Sequence, residues 1–177
     1  MSEAGFFGVL TPPPFGGTAG SRLELLLITQ ELARASAAVA LGFTINVGVG
    51  FLILAFGNDE QKRKYLPSLA NGKSLGAFAI TEPSGRTNWP LTLQTKAVFE
   101  DGQYLLNGSK CFISNGGETG VYIVLARTDP GKGPMGISVF IVEKDRPGFS
   151  LGTKEEKFGL RADPTAELIF QNCAVPK

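Results

Sequence analysis

The punctuation of this chain changes at Asn71-Gly72, and that change limits its possible folds more than any other feature. Beyond it, short β-prone runs are separated by turn dipeptides: Asp101-Gly102, Asn107-Gly108, Asn115-Gly116, Asp129-Pro130-Gly131 and Pro147-Gly148. Turn signals at intervals of roughly ten residues are the pattern of an antiparallel sandwich or barrel. Strands are expected over residues 75–81, 94–100, 103–106, 109–114, 121–127, 136–142, 150–152 and 166–170. Asn107-Gly108 is the strongest hairpin signal, because both central positions of a two-residue hairpin turn want φ > 0.

Before the change the chain reads as helix. Ser21 and Glu24 form a capping box, and Leu25, Ile28, Leu32, Ala35 and Val39 recur at helical spacing on one face. Glu31 and Arg34 stand three apart on the polar side, where they can pair weakly. Gly42 weakens this helix, so a second is expected over residues 47–56. A third, over 60–70, is capped by Asn58 with Gln61 and ends at Asn71-Gly72. Its Lys62, Arg63 and Lys64 are expected to form a solvated face. The predicted class is α+β: a helical N-terminal segment, residues 1–73, followed by an antiparallel β-sandwich or barrel domain, residues 74–177.

Composition removes several function classes. A net charge of +1, with no basic run, gives no reason to expect nucleic acid as a partner. The chain has no histidine and two distant cysteines, Cys111 and Cys173, so the usual nitrogen and sulfur metal ligands are missing. Nor is there a Ser-His or Cys-His pair or a P-loop, and no G-x-G-x-x-G follows a strand and opens a helix. Lys110 beside Cys111 does not activate the thiol, since adjacent strand residues point to opposite faces. Residues 35–56 carry no charge and are long enough to cross a bilayer. Thr44, Asn46 and three glycines within that run favour helices buried in a protein core, so no membrane span is expected. With no signal or transit peptide in view, a cytoplasmic, reducing location is expected.

Two stretches carry the chemistry. Phe78-Ala79-Ile80-Thr81-Glu82-Pro83 and Gly108-Ser109-Lys110-Cys111-Phe112-Ile113-Ser114-Asn115-Gly116 each read as a strand running into a polar turn, delivering one hydroxyl where alternation stops. Side by side, such ends offer backbone N–H groups and two hydroxyls to a planar, hydrogen-bonding ligand. In order and spacing they resemble the flavin-contacting segments of the acyl-CoA dehydrogenase family. Val124-Leu125-Ala126-Arg127-Thr128, Lys157-Phe158-Gly159-Leu160-Arg161 and Glu31-Leu32-Ala33-Arg34 extend the resemblance over nearly the whole chain.

The resemblance implies FAD as cofactor and an acyl-CoA thioester as substrate, oxidised to the trans-2-enoyl thioester. It also implies an electron-transferring flavoprotein or similar acceptor, and a homo-oligomer for the complete protein. Thr81 matches a threonine that bonds near the reactive edge of the flavin, and Ser114 matches a second hydroxyl position. Phe112 takes the slot of an aromatic that packs on the flavin. Phe78 and Ile80 match positions lending backbone contacts, and Ile113 stands with them among the cofactor-binding positions. Glu82 matches a structural glutamate, so no catalytic residue is expected here; the family's catalytic glutamate belongs to a C-terminal helical domain outside this sequence, and the chain alone is expected to be inactive. One departure follows Thr-Glu-Pro. In Ser84-Gly85-Arg86-Thr87-Asn88, Thr87 keeps a hydroxyl implied to serve cofactor and substrate, whereas Arg86 replaces a glycine and Asn88 an aspartate. Arg86 either supplies a guanidinium to a phosphate or marks a remodelled loop. The competing readings are a non-catalytic flavin- or acyl-CoA-binding module, and an oxidase or flavin monooxygenase on the same scaffold.

Overall fold

The computed structural model describes residues 1–85 and 89–177, which gather into two units: Met1–Ala77 with Glu156–Asp163, and Phe78–Glu155 with Pro164–Lys177. The first unit holds three helices, α1 (Arg22–Ala35), α2 (Ala37–Phe56) and α3 (Asp59–Ala70). Both expected capping boxes are present, Ser21 with Glu24 and Asn58 with Gln61. Glu31 and Arg34 pair at 3.4 Å on the exposed side of α1.

The break between the first two helices falls at Ser36, not near Gly42. Ser36 has extended backbone, its N–H closes α1 on the Leu32 carbonyl, and its hydroxyl accepts from Val39 N–H to open α2. From there α2 runs unbroken through Gly42, Gly48 and Gly50, so the expected shorter helix over 47–56 is corrected. Glycine inside a helix costs about 1 kcal/mol, and burial of Phe43, Val47, Val49 and Ile53 outweighs that. Phe43 and Val47 pack with Phe7 and Val9, and Leu25, Ile28 and Leu32 of α1 lie against that cluster. Asn46 is buried, donates to the Leu69 carbonyl at 3.2 Å and accepts from Gly76 N–H at 2.8 Å. By length and composition alone α2 is able to cross a membrane; its buried, hydrogen-bonded Asn46 is the signature of a helix tied into a protein core.

The strands are β1 (Gly76–Ala79), β2 (Lys96–Glu100), β3 (Gln103–Ser114), β4 (Val121–Arg127), β5 (Ile137–Glu143), β6 (Phe149–Lys154) and β7 (Thr165–Pro176), with a short helix α4 (Trp89–Thr92) before β2. The strands form one seven-stranded sheet in the order β1-β4-β2-β3-β7-β6, with β5 on β4. Most pairings are antiparallel, but β2 and β4 run parallel where Lys96 faces Arg127. The sheet is therefore mixed, and the expectation of a purely antiparallel one is corrected. Turn dipeptides say where strands stop, but a parallel pair is made by a long crossover that leaves no local mark.

The expected hairpin at Asn107-Gly108 is also corrected. The β2–β3 turn is Asp101-Gly102, with φ of 48° and 81° as that turn type demands. Asn107 and Gly108 lie inside one long strand at a register shift, where Asn107 Oδ1 accepts from Asn172 N–H at 2.8 Å across to β7. Tyr122, Phe149 and Phe170, on β4, β6 and β7, meet in series as tilted rings with centroids 5.0 and 5.5 Å apart. Val121 to Ala126 are all buried, which makes β4 an interior strand of the kind whose two faces are both covered.

Candidate functional site

The two segments singled out in the sequence are joined in the second unit by a buried ion pair and one main-chain bond. Cys111 N–H, on β3, donates to the Thr81 carbonyl just beyond β1 at 2.9 Å. Next to it, Lys110 Nζ donates to Glu82 Oε1 at 2.8 Å and to the Ile80 carbonyl at 3.3 Å. The Glu82 carboxylate also accepts from the N–H groups of Gln94 and Thr95 and from the Thr95 hydroxyl. Lys110 is wholly buried and Glu82 nearly so, at 0% and 4% exposure.

Burial alone would raise the Glu82 carboxyl, but Lys110, Thr95 and the Gln94 and Thr95 N–H groups hold it below the ordinary carboxylate value. Burial pulls the Lys110 ammonium down, and Glu82 opposes that pull. Four donors on one carboxylate keep the acid ionised, and an ionised partner keeps the amine charged. Buried and tied to four donors of the protein itself, this carboxylate is closed off from a substrate, so its place here is architectural.

Gly108 earlier in β3 makes the arrangement possible. A Cβ at that position would stand 2.7 Å from Thr95 Oγ1 and 2.8 Å from its Cα, and φ is 145°. Glycine thus lets Thr95 close on β3, and Thr95 in turn holds Glu82.

After Lys110 the strand bulges, with a register shift between Lys110 and Ile113. Phe112 sits in that bulge at φ 56°, a left-handed backbone uncommon for an aromatic residue, and its side chain is 64% exposed. The bulge turns the ring outward beside the Thr81 end, while Ile113 returns to the core at 2% exposure. Ile113 thus has no side chain to offer a ligand, and its carbonyl accepts from Gly116 N–H at 3.0 Å. Ser114 is half-buried and faces Thr165 in register. On β1, Ala77 and Ala79 point inward and Phe78 outward. Ile80 is half-buried, with its carbonyl engaged by Lys110. The half-buried Thr81 hydroxyl has no hydrogen-bond partner among the described residues. Thr87, with Arg86 and Asn88, lies outside the described residues.

Cys111 diverges from Lys110 as strand alternation requires, half-buried where the lysine is fully buried. Burial first, then the charges of Glu167 and Glu155, push its thiol up, which removes it as a nucleophile. Two further participants were not singled out in the sequence. Thr95 carried no motif. Arg127, at the end of β4, donates to the carbonyls of Pro90 (3.2 Å), Leu91 (3.4 Å), Leu93 (3.2 Å) and Gly133 (3.0 Å). The available signal was a charge closing an otherwise apolar run, Val121 to Ala126, where a buried strand ends.

Comparison with known proteins bears on what this platform belongs to. The family model for the acyl-CoA dehydrogenase middle domain matches residues 77–173, and that for the N-terminal domain matches residues 1–73. The chain belongs to the acyl-CoA dehydrogenase family. It is 47% identical over 178 residues to an acyl-CoA dehydrogenase of Bacillus subtilis, covering 100% of this chain and 47% of that protein. Butyryl-CoA dehydrogenase from Megasphaera elsdenii superposes with a TM-score of 0.94 at 41% identity, over 99% of this chain and 48% of that one. An acyl-CoA dehydrogenase from Bacillus anthracis, solved in complex with FAD, gives a TM-score of 0.89 at 36% identity, over 99% of this chain and 30% of that one. The chain thus spans about half the length of the curated relatives it matches.

Proposed function

We propose that this chain is the flavin platform of an FAD-dependent acyl-CoA dehydrogenase, with residues 1–73 as its helical part and residues 74–177 as its β-domain. The observation that carries the reading is that a Thr81 hydroxyl with no partner among the described residues and the outward Phe112 ring stand on adjoining strand ends. A planar group edged with hydrogen-bonding atoms fits that pair: Phe112 covers a face, and Thr81 donates to an edge. Acyl-CoA dehydrogenases among the relatives, one of them solved with FAD, support the same cofactor.

When bound, FAD supplies the two-electron acceptor for oxidation of a thioester Cα–Cβ bond. This chain's residues bind and orient. Thr81 and Ser114 offer hydroxyls to the ring system, while Phe78, Ile80 and Ile113 line it through their main chain. Thr87 serves both cofactor and acyl-CoA. Glu82 takes no part in proton transfer, because it is buried and bonded to Lys110, Gln94 and Thr95. The substrate is an acyl-CoA thioester, the acceptor an electron-transferring flavoprotein or a similar protein, and the complete protein a homo-oligomer.

Titration of the chain with FAD, followed in the visible spectrum, tests the reading. Saturable binding that red-shifts or quenches the flavin is expected. Thr81→Ala and Ser114→Ala should each weaken it by about 0.5–1.5 kcal/mol, and Phe112→Ala by more. Absence of saturable binding, or equal binding by all three variants, would refute it.

A further inference from the structure

Glu82 and Arg127 are charged side chains spent on backbone, and both hold the same stretch of chain. Glu82 reaches across to Gln94 N–H and Thr95 N–H, joining the limb over residues 82–85 to the limb over residues 89–95. On the outgoing limb, Gly85 N–H donates back to the Glu82 carbonyl at 2.9 Å, and Ser84 Oγ donates to the Thr92 carbonyl at 3.3 Å. On the returning limb, Arg127 gathers the carbonyls of Pro90, Leu91 and Leu93. Lys110 anchors Glu82 to β3, one residue from the bond between Cys111 and Thr81 and two from Phe112.

We propose that Lys110, Glu82 and Arg127 are positioning residues: a two-point clasp that sets the Thr81 end and both limbs beside it in the ligand-ready arrangement before the flavin arrives. The inference rests on the flavin reading above. The physical argument is one of preorganisation. A limb that must be ordered on binding subtracts that ordering from affinity, whereas a limb already held by charge-assisted bonds does not. Three bonds to Glu82 and three from Arg127 fall on this one stretch, more than closing it requires of ordinary turn residues. Both also sit where the chain passes from the sheet to the candidate ligand. Lys110 ties the clasp to the strand that carries Phe112 and Ser114, so one ion pair registers both hydroxyl-bearing ends against each other.

The test compares the parent chain with Glu82→Gln/Lys110→Met and with Arg127→Met. The double variant removes both buried charges together and so leaves neither uncompensated. Arg127 is partly exposed, so its variant keeps the test decisive if the double variant does not fold. Three quantities are read: the thermal midpoint, amide hydrogen exchange at Gly85, Gln94, Thr95 and Cys111, and the FAD dissociation constant. A folded variant is expected to exchange those amides faster by about tenfold or more, with β4–β5 amides unchanged. Its FAD dissociation constant is expected to rise by about tenfold. Exchange at those amides equal to the parent's would overturn the clasp. Faster exchange with a dissociation constant within twofold of the parent's would overturn its role in positioning. A parent chain that binds no FAD would instead remove the flavin reading itself, and this inference with it, before any variant is compared.

Discussion

Gly108 and Lys110 stand two apart in one short motif and serve one carboxylate by different means. Glycine admits Thr95 by having no side chain, and lysine brings the charge. Gly108→Ala should therefore destabilise the fold by about 1–3 kcal/mol, both from the collision with Thr95 and from the backbone at φ 145°. Chemical denaturation measures it, and a loss under a few tenths would contradict the stated role. Lys110→Met alone leaves Glu82 buried without its cation and should cost about 3–5 kcal/mol, more than Glu82→Gln/Lys110→Met together. Acid should weaken the same pair. The Glu82 carboxyl lies below its ordinary value of 4.5 in the folded chain, so over that interval the unfolded chain binds more protons and stability rises with pH. The contribution is complete above about 4.5 and is lost as pH falls through the folded value. Urea midpoints followed from neutral to acid pH should show this step in the parent and a smaller one in Glu82→Gln. Parallel profiles would contradict it.

Among the elements, Ser36 and the interior of α2 offer a matched pair of tests. Ser36→Ala removes the hydroxyl that opens α2 and should cost about 0.5–2 kcal/mol. Gly48 is exposed and a Cβ there meets nothing within 4 Å, so Gly48→Ala should stabilise by about 0.4–1 kcal/mol. Denaturation midpoints that move the other way would contradict the helix assignment. These elements also show what the sequence could and could not reveal. Capping boxes at Ser21 and Asn58, and the β4 run, were legible because local bonds and burial leave local patterns. The continuity of α2 was not, since a glycine's cost is local while the burial that offsets it is tertiary. Asn107-Gly108 read as a turn because the dipeptide has the right chemistry; in the fold, the glycine answers to Thr95 and the asparagine to Asn172. The strand-end residues of the site were legible from a resemblance to one family, whereas Thr95 and Arg127 act through backbone bonds that no spacing announces. The Glu82–Lys110 pair lies between: two charges of opposite sign within apolar strand segments are visible in sequence, and their pairing is not.

For the molecule as a whole, several large apolar side chains on the helices are left in solvent. Leu23, Leu26 and Leu27 on α1 and Phe56 at the end of α2 are 63%, 61%, 52% and 83% exposed. Apolar surface of this kind favours association, and the chain on its own should sediment as a concentration-dependent oligomer. A monodisperse monomer across the concentration range would contradict that expectation. The central claim, however, concerns where a flavin rests. A crystal structure of the chain grown with FAD tests it most directly. The account predicts the isoalloxazine ring in van der Waals contact with Phe112, with a ring acceptor within hydrogen-bond distance of Thr81 Oγ1. Flavin density elsewhere on the molecule, with the Phe112 ring and the Thr81 hydroxyl both untouched, would contradict it.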